Sequence, residues 1–281
     1  MPAQAARLNT HDKRGSAEVR MLREDEVHIA PPSKWLLLAE GRAWAEFAAF
    51  LVATPFLRRL PRGDGQPVLI VPGFGASDFS TLPLRRLLRR LGYIAHGWEL
   101  GRNLGMNSLR KHALSRSLES LHEHHGQTVS LIGWSLGGVF VREMARHAPQ
   151  HVRQVITLGS PINGHPQANN VDALFRQANR SKPVNLDWDA FQRRRVPPPV
   201  PCTAIYSKSD GIVAWRCSQE EPSPHTESIG VPSSHFGLAV NPLVVAIIAD
   251  RLAQPEDGWQ PYRSRGWQRK LVHTDGSSMA D

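Results

Sequence analysis

A serine stands at position 135 between a tryptophan and a leucine, within the run LIGWSLGG of residues 131–138. An apolar stretch enters this run and an amphipathic stretch leaves it, with glycines at 133, 137 and 138. That order reads as a strand, a very sharp turn and a helix. Glycine removes the Cβ atoms that would collide in so tight a turn. A helix that begins at Leu136 also aims its first N–H groups and its positive end at any anion forming beside the serine. Such a hydroxyl suits nucleophilic attack on an acyl carbonyl. The attack needs a base to take the proton, a carboxylate to orient the base, and fixed N–H donors for the developing oxyanion.

Thirteen histidines are candidates for the base. His122, His124 and His125 cluster in a helical stretch and read as surface residues. His96 falls at the end of a short strand. His147 and His151 lie beyond the helix that follows the serine and read as exposed. His235 differs: it sits in VPSSHFGLAVNP, a loop after a short strand (228–231) and before the last helix. That loop should open at the same sheet edge as Ser135, so His235 is the expected base. Asp210, in SKSDGIV after the apolar run TAIYS, is the expected carboxylate. Asp78 is its best competitor, while Asp172, Asp187 and Asp189 read as surface or cover residues. The loop PGFGAS follows the strand at 68–71, and its glycines let backbone approach a substrate. The N–H groups of Phe74 and Leu136 are therefore the expected oxyanion donors. Trp134 and Phe79, with Phe74 and Leu136, would line an apolar acyl site.

The elements that must position these groups alternate. Strand-like runs at 68–71, 94–100, 129–134, 152–161 and 202–211 are separated by helical patterns at 82–93, 107–125 and 136–148, with a last helix at 241–254. Strands alternating with helices imply a mostly parallel central sheet with helices on both faces. The segment 162–200 breaks the rhythm, is polar, ends in VPPPVP, and is expected to be a short cap insertion over the carboxyl ends of the strands. Residues 1–32 read as a mobile arm and 255–281 as a loose polar tail. Residues 33–60 are rich in Leu, Ala and Phe, with Ser33 as a candidate N-cap. Glu40, Arg42 and Glu46 interrupt that stretch and argue against a membrane span, which wants roughly 20 nearly uninterrupted apolar residues. The favoured reading is a helix packed on the domain or covering its pocket; peripheral contact with a membrane, with Arg58 and Arg59 near the headgroups, is the alternative.

The chain has 281 residues, 41% of them hydrophobic and 21% charged, which suits a globular protein with a real core. Its formal net charge is +9. No nucleic-acid module accompanies the arginines, so no nucleic-acid partner is expected; a solvated basic surface comes first, attraction to an anionic membrane second. The N-terminal stretch lacks the apolar core of a secretory signal, and two cysteines are too few for a disulfide scaffold. The expected setting is the cytoplasm, with membrane association as the alternative. A Cys202–Cys217 bridge would join a strand to the loop after it, which a reducing compartment disfavours.

Read together, VLIVPGFGAS, LIGWSLGG, VITLGSPINGHP, YSKSDGIV and SSHFGLAVNP, in that order, resemble the α/β-hydrolase superfamily and within it bacterial lipases and esterases. The likeness covers roughly residues 66–254. The chain departs from many relatives in carrying Pro72-Gly73 where they have His-Gly, which keeps the backbone donors but loses a side-chain brace. The resemblance implies the α/β-hydrolase fold and hydrolysis of a carboxylic ester or lipid through an acyl-enzyme. Ser135, Asp210 and His235 would form the triad, Phe74 and Leu136 the oxyanion hole, and no metal or organic cofactor is implied. Two other outcomes stay open: an acyltransferase that releases the same acyl-enzyme to an alcohol, and a non-catalytic binding or membrane-docking protein on this scaffold.

Overall fold

The alternation of apolar runs and helical stretches is realised in the computed structural model, which describes residues 29–163 and 188–274. The chain forms α1 (Lys34–Leu38), a 3-10 turn (Ala39–Arg42), α2 (Ala43–Leu57), β1 (Pro67–Val71), α3 (Asp78–Arg90), β2 (Ile94–Gly97), α4 (Ser108–His125) and β3 (Val129–Trp134). It continues through α5 (Leu136–His147), β4 (Val152–Leu158), α6 (Trp188–Arg195), β5 (Cys202–Tyr206), β6 (Thr226–Gly230), α7 (Pro242–Leu252) and β7 (His273–Thr274). One seven-stranded sheet results, in the order β2-β1-β3-β4-β5-β6-β7. Every pairing is parallel except β6 with β7.

Both faces of the sheet are covered, which is why the central strands read as unbroken apolar runs. Leu69, Val71, Leu131 and Val155 pack with Leu114 and Leu118 of α4 and Phe140, Val141 and Met144 of α5. Val68, Ile70, Ile132 and Ile156 face the other way, toward Leu84, Leu87 and Leu88 of α3 and Val244, Ile247 and Ile248 of α7. Phe50 and Leu57 of α2 join this second layer. From β1 the chain goes to β2 on one side and then returns to β3 on the other. Such a reversal opens a crevice beyond the carboxyl ends of the strands, where ligands of open parallel sheets bind.

Several boundaries differ from the sequence reading. The helix expected from residue 82 already begins at Asp78 and runs through Pro83. Asp78 accepts the backbone N–H groups of Trp98 and Glu99 at 2.9 and 3.0 Å, tying the start of α3 to the loop after β2. Within the stretch expected to be a loose tail, the described residues 255–274 fold against the domain. Tyr262 and Val272 are buried in the core, and β7 closes the sheet edge. Tyr262 N–H donates to the Glu227 carboxylate at 2.6 Å, and the Arg251 guanidinium lies over its ring at 5.2 Å. Isolated apolar residues of this kind have no period, so no element was visible there.

Residues 33–60 fold as two helices joined by a 3-10 turn, and the Ser33 hydroxyl accepts Leu36 N–H at 3.4 Å. Among the described residues no helix is long and apolar enough to cross a membrane. The arm expected at 1–32 and the insertion expected at 162–200 lie largely outside the described residues. Cys202 and Cys217 are both free and buried.

Candidate active site

Ser135 lies at the end of β3 with φ 53° and ψ −123°. A non-glycine residue in that region carries strain of order 1–3 kcal/mol and persists only where the surroundings enforce it. The enforcement is visible. Ser135 N–H donates to Leu158 O at 2.8 Å, and its carbonyl accepts Gly138 N–H at 3.0 Å. A Cβ on Gly137 would come within 2.3 Å of Val71 O, so only glycine lets α5 sit this close to β1. The β1 loop reaches the serine itself: a Cβ on Gly73 would meet Ser135 Cβ at 3.0 Å. Asn103, fully buried, shapes that loop by donating its amide to Pro72 O at 2.8 Å, while Gly75 N–H donates to Asn103 O at 2.7 Å. Phe74 and Leu136 thus flank Ser135 from two adjacent strand ends, Phe74 on the loop after β1 and Leu136 at the first position of α5.

Asp210 and His235 are brought together on the far side of the serine by β5 and β6. The imidazole Nδ1 lies 2.6 Å from Asp210 Oδ2, and both side chains are almost wholly buried. The other carboxylate oxygen accepts the backbone N–H groups of Ile212 and Val213, each at 2.8 Å. Asp210 is thereby held as an acceptor on both oxygens. An imidazole that donates from Nδ1 to such a carboxylate has Nε2 left for another partner. Gly159, directly after Leu158 whose carbonyl holds Ser135, adopts φ +54° and abuts the pair. A Cβ there would sit 3.0 Å from Asp210 Oδ2 and 3.1 Å from His235 Nδ1. Leu158, at the end of β4, thus holds the Ser135 turn, and the next residue, Gly159, abuts the Asp210–His235 pair.

The two loops carrying Asp210 and His235 are gripped by the N-terminal helices. Glu40, buried, accepts Gly211 N–H at 2.8 Å and His235 N–H at 3.0 Å on one oxygen, and Phe236 N–H at 3.1 Å on the other. Glu46 accepts Ser234 N–H at 2.7 Å and the Asn241 amide at 3.0 Å, and also receives the Ser233 hydroxyl. Arg42 donates to Ser209 O at 2.5 Å and Ser233 O at 3.0 Å, bridging the acid loop to the base loop. Hydrogen bonds to a charged partner are stronger than neutral ones, so this is a stiff clamp. On its remaining side, His235 O accepts the Trp134 indole N–H at 3.1 Å.

The family model of the alpha/beta hydrolase fold matches residues 67–236. The chain belongs to the alpha/beta hydrolase fold family. Solved structures of similar fold include a pyrethroid hydrolase from Sphingobium faniae, at 19% identity and TM-score 0.50, covering 68% of this chain and 99% of that one. A structure of the metagenome-derived lipolytic enzymes LipS and LipT matches at 15% identity and TM-score 0.51, with 68% and 93% covered. Lipase B of Aspergillus fumigatus matches at 16% identity and TM-score 0.49, covering 71% of this chain and 55% of the longer lipase. At these identities the likeness is one of fold. No curated protein matches the sequence significantly.

Within this alpha/beta hydrolase, the expected residues fall into two groups. Ser135 with Leu136, Phe74, Asp210 and His235 lie beyond the carboxyl ends of β3, β1, β5 and β6, and Asp210 and His235 meet there. The two expected acyl-site aromatics separate. Phe79 is 81% exposed at the start of α3, whereas Trp134 is buried under His235 and Phe236, with ring centroids 6.1 and 6.4 Å away. The Trp134 indole is a brace for the histidine loop. Asp78, the competing carboxylate, is occupied at the β2 loop, remote from His235 in the sheet order. Four of the histidines read as bystanders meet in pairs instead: His96 lies 5.7 Å from His125 and His122 lies 4.5 Å from His151, ring to ring. Among the described residues no group of three or more His, Cys, Asp or Glu could hold a metal ion. Sequence reading missed Glu40, Glu46 and Arg42 as site residues. Their signal was present, since charges inside an apolar helix need partners, but the partners lie far along the chain.

Proposed function

We propose that this protein is a serine carboxylic-ester hydrolase, an esterase or lipase that works through an acyl-enzyme. The observation that carries the reading is the buried 2.6 Å contact of His235 Nδ1 with Asp210, packed against Gly159, whose chain neighbour Leu158 accepts the N–H of a serine held at φ 53°. In the proposed reaction, His235 Nε2 takes the proton of Ser135 as Oγ attacks the ester carbonyl. Asp210 stabilises the imidazolium without itself being protonated. The N–H groups of Phe74 and Leu136 stabilise the tetrahedral oxyanion, aided by the positive end of α5. Collapse expels the alcohol, which receives the proton from His235, and leaves the acyl group on Ser135. Water then repeats the sequence and frees the acid. The fold shared with lipolytic enzymes supports this class.

A fluorophosphonate probe and a graded series of p-nitrophenyl esters test the reading. The wild type is expected to label stoichiometrically and to hydrolyse at least the short esters, with both lost in Ser135→Ala. A folded wild type that neither labels nor hydrolyses any member of the series overturns it.

A further inference from the structure

The outer side of the N-terminal helices plays no part in gripping the site loops. α1 exposes Trp35 and Leu38, and α2 exposes Trp44, Leu51, Val52 and Phe56; Trp35 and Trp44 are 81% and 79% exposed, Val52 and Phe56 76% and 68%. On α2, Trp44, Ala48, Leu51, Val52, Pro55 and Phe56 are all exposed and recur at helical spacing, forming one stripe opposite the buried Phe50 and Leu57. A surface helix normally turns a polar face to water; this one turns an apolar face on each side.

Its charges are sorted in a way that identifies what the stripe meets. Between Ile29 and Gly63 the only carboxylates are Glu40 and Glu46. Both point inward and are committed to the Asp210 and His235 loops, as is Arg42. The charges left exposed along this segment are Lys34, Arg58, Arg59 and Arg62, all positive. Indoles favour the headgroup level of a bilayer, aliphatic side chains the acyl boundary below it, and arginines at a helix end an anionic lipid surface. A second copy of a chain with formal net charge +9 is repelled at long range, whereas an anionic bilayer attracts it.

We propose that the outer face of α1 and α2 docks this protein peripherally on an anionic lipid bilayer, with α2 lying in the plane of the interface. Docking would set the site at the membrane. Glu40, on the inner side of the docked segment, holds the N–H groups of His235 and of Phe236, and Phe236 is half exposed beside it. That consequence rests on the ester-hydrolase reading: a bilayer-borne ester would meet the rim without crossing water. The docking itself does not depend on that reading.

Flotation of the full chain with phosphatidylcholine vesicles, with and without phosphatidylglycerol, tests the proposal. The wild type is expected to float with the anionic vesicles and poorly with the neutral ones. Trp44→Glu with Val52→Glu should lower partitioning by about tenfold or more. Arg58→Glu with Arg59→Glu should abolish the preference for anionic lipid while leaving residual binding. Near-UV circular dichroism checks the fold, and the milder pair Val52→Ser, Phe56→Ser replaces the first pair should it unfold. Ser135→Ala should float like the wild type, so docking and catalysis are read separately. The proposal is overturned by a wild type that ignores anionic vesicles, or by stripe variants that float undiminished. It is equally overturned if the stripe variants convert a dimer to a monomer without altering flotation.

Discussion

The carboxyl rim of the sheet is built in two different ways on its two sides. Around Ser135 the chain is held by its own backbone. Glycines let α5 approach β1, Leu158 O takes the serine N–H, and the β1 loop lies against the hydroxyl carbon. Around Asp210 and His235 the backbone is instead held by charged side chains from a helix that precedes the sheet, with Glu40 reaching across 195 positions of sequence to His235 N–H. Short-range steric packing fixes the Ser135 turn; long-range charge-assisted hydrogen bonds fix the Asp210 and His235 loops. A defect on the first side should therefore distort a turn, and a defect on the second should release two loops at once.

The largest expected effect falls on the Ser135 side. Ser135→Ala should lower kcat/KM for a p-nitrophenyl ester by about 10⁴ or more, with unchanged near-UV circular dichroism. Asp210→Asn should fall by a similar order, because an amide permits the wrong imidazole tautomer. If Asp210→Asn stayed within a few-fold of wild type, the carboxylate would not be the partner that matters.

Next in size, and the sharper test of the comparison, is Glu40→Ala. Removing one carboxylate frees the N–H groups of Gly211, His235 and Phe236 together. The imidazole then loses its fixed aim, and small misplacements of a reacting group cost about 100-fold. We expect a loss of that order in kcat with little change in KM, since Glu40 is a positioning residue that touches no substrate. Glu40→Gln keeps one acceptor oxygen and should recover part of the rate. Global destabilisation alone would lower the active fraction, so active-site titration with the phosphonate separates the two. A full kcat per titrated site in Glu40→Ala would erase the distinction drawn between the two sides.

This division also explains what could be read from the chain. The strands and helices around Ser135, the turn itself and the strand-end loops that carry Asp210 and His235 all follow from local pattern, because each lies where one apolar run ends and a glycine or polar loop begins. Phe79 misled because an aromatic near a loop says nothing of which way it faces. Trp134 adjoins Ser135 in sequence, yet its indole N–H answers to a carbonyl 101 positions away. Glu40, Arg42 and Glu46 looked like interruptions of an apolar helix. Their partners are backbone N–H and C=O groups, which have no side-chain signature and cannot be located from composition or period.

The smallest effect offers the finest probe of the clamp. Cys217 is buried in the short turn after the acid loop, packed with Ile212, Val213 and Ala214, and burial pushes its thiol up to about 12. Only the thiolate reacts, so at pH 8 Cys217 should be nearly inert to a disulfide reagent in the wild type. Cys202, the first residue of β5, is also raised by burial and should be inert for as long as the sheet is intact. Local opening of the acid loop would return Cys217 toward its ordinary thiol range and raise its reactivity without exposing Cys202. Glu40→Ala should therefore speed labelling of Cys217 several-fold while leaving Cys202 protected. Gly73→Ala, which crowds Ser135 from the β1 loop, should change neither. Equal acceleration of both thiols in Glu40→Ala would mean that the whole sheet loosens, and that the N-terminal helices stabilise the domain instead of holding one side of its site.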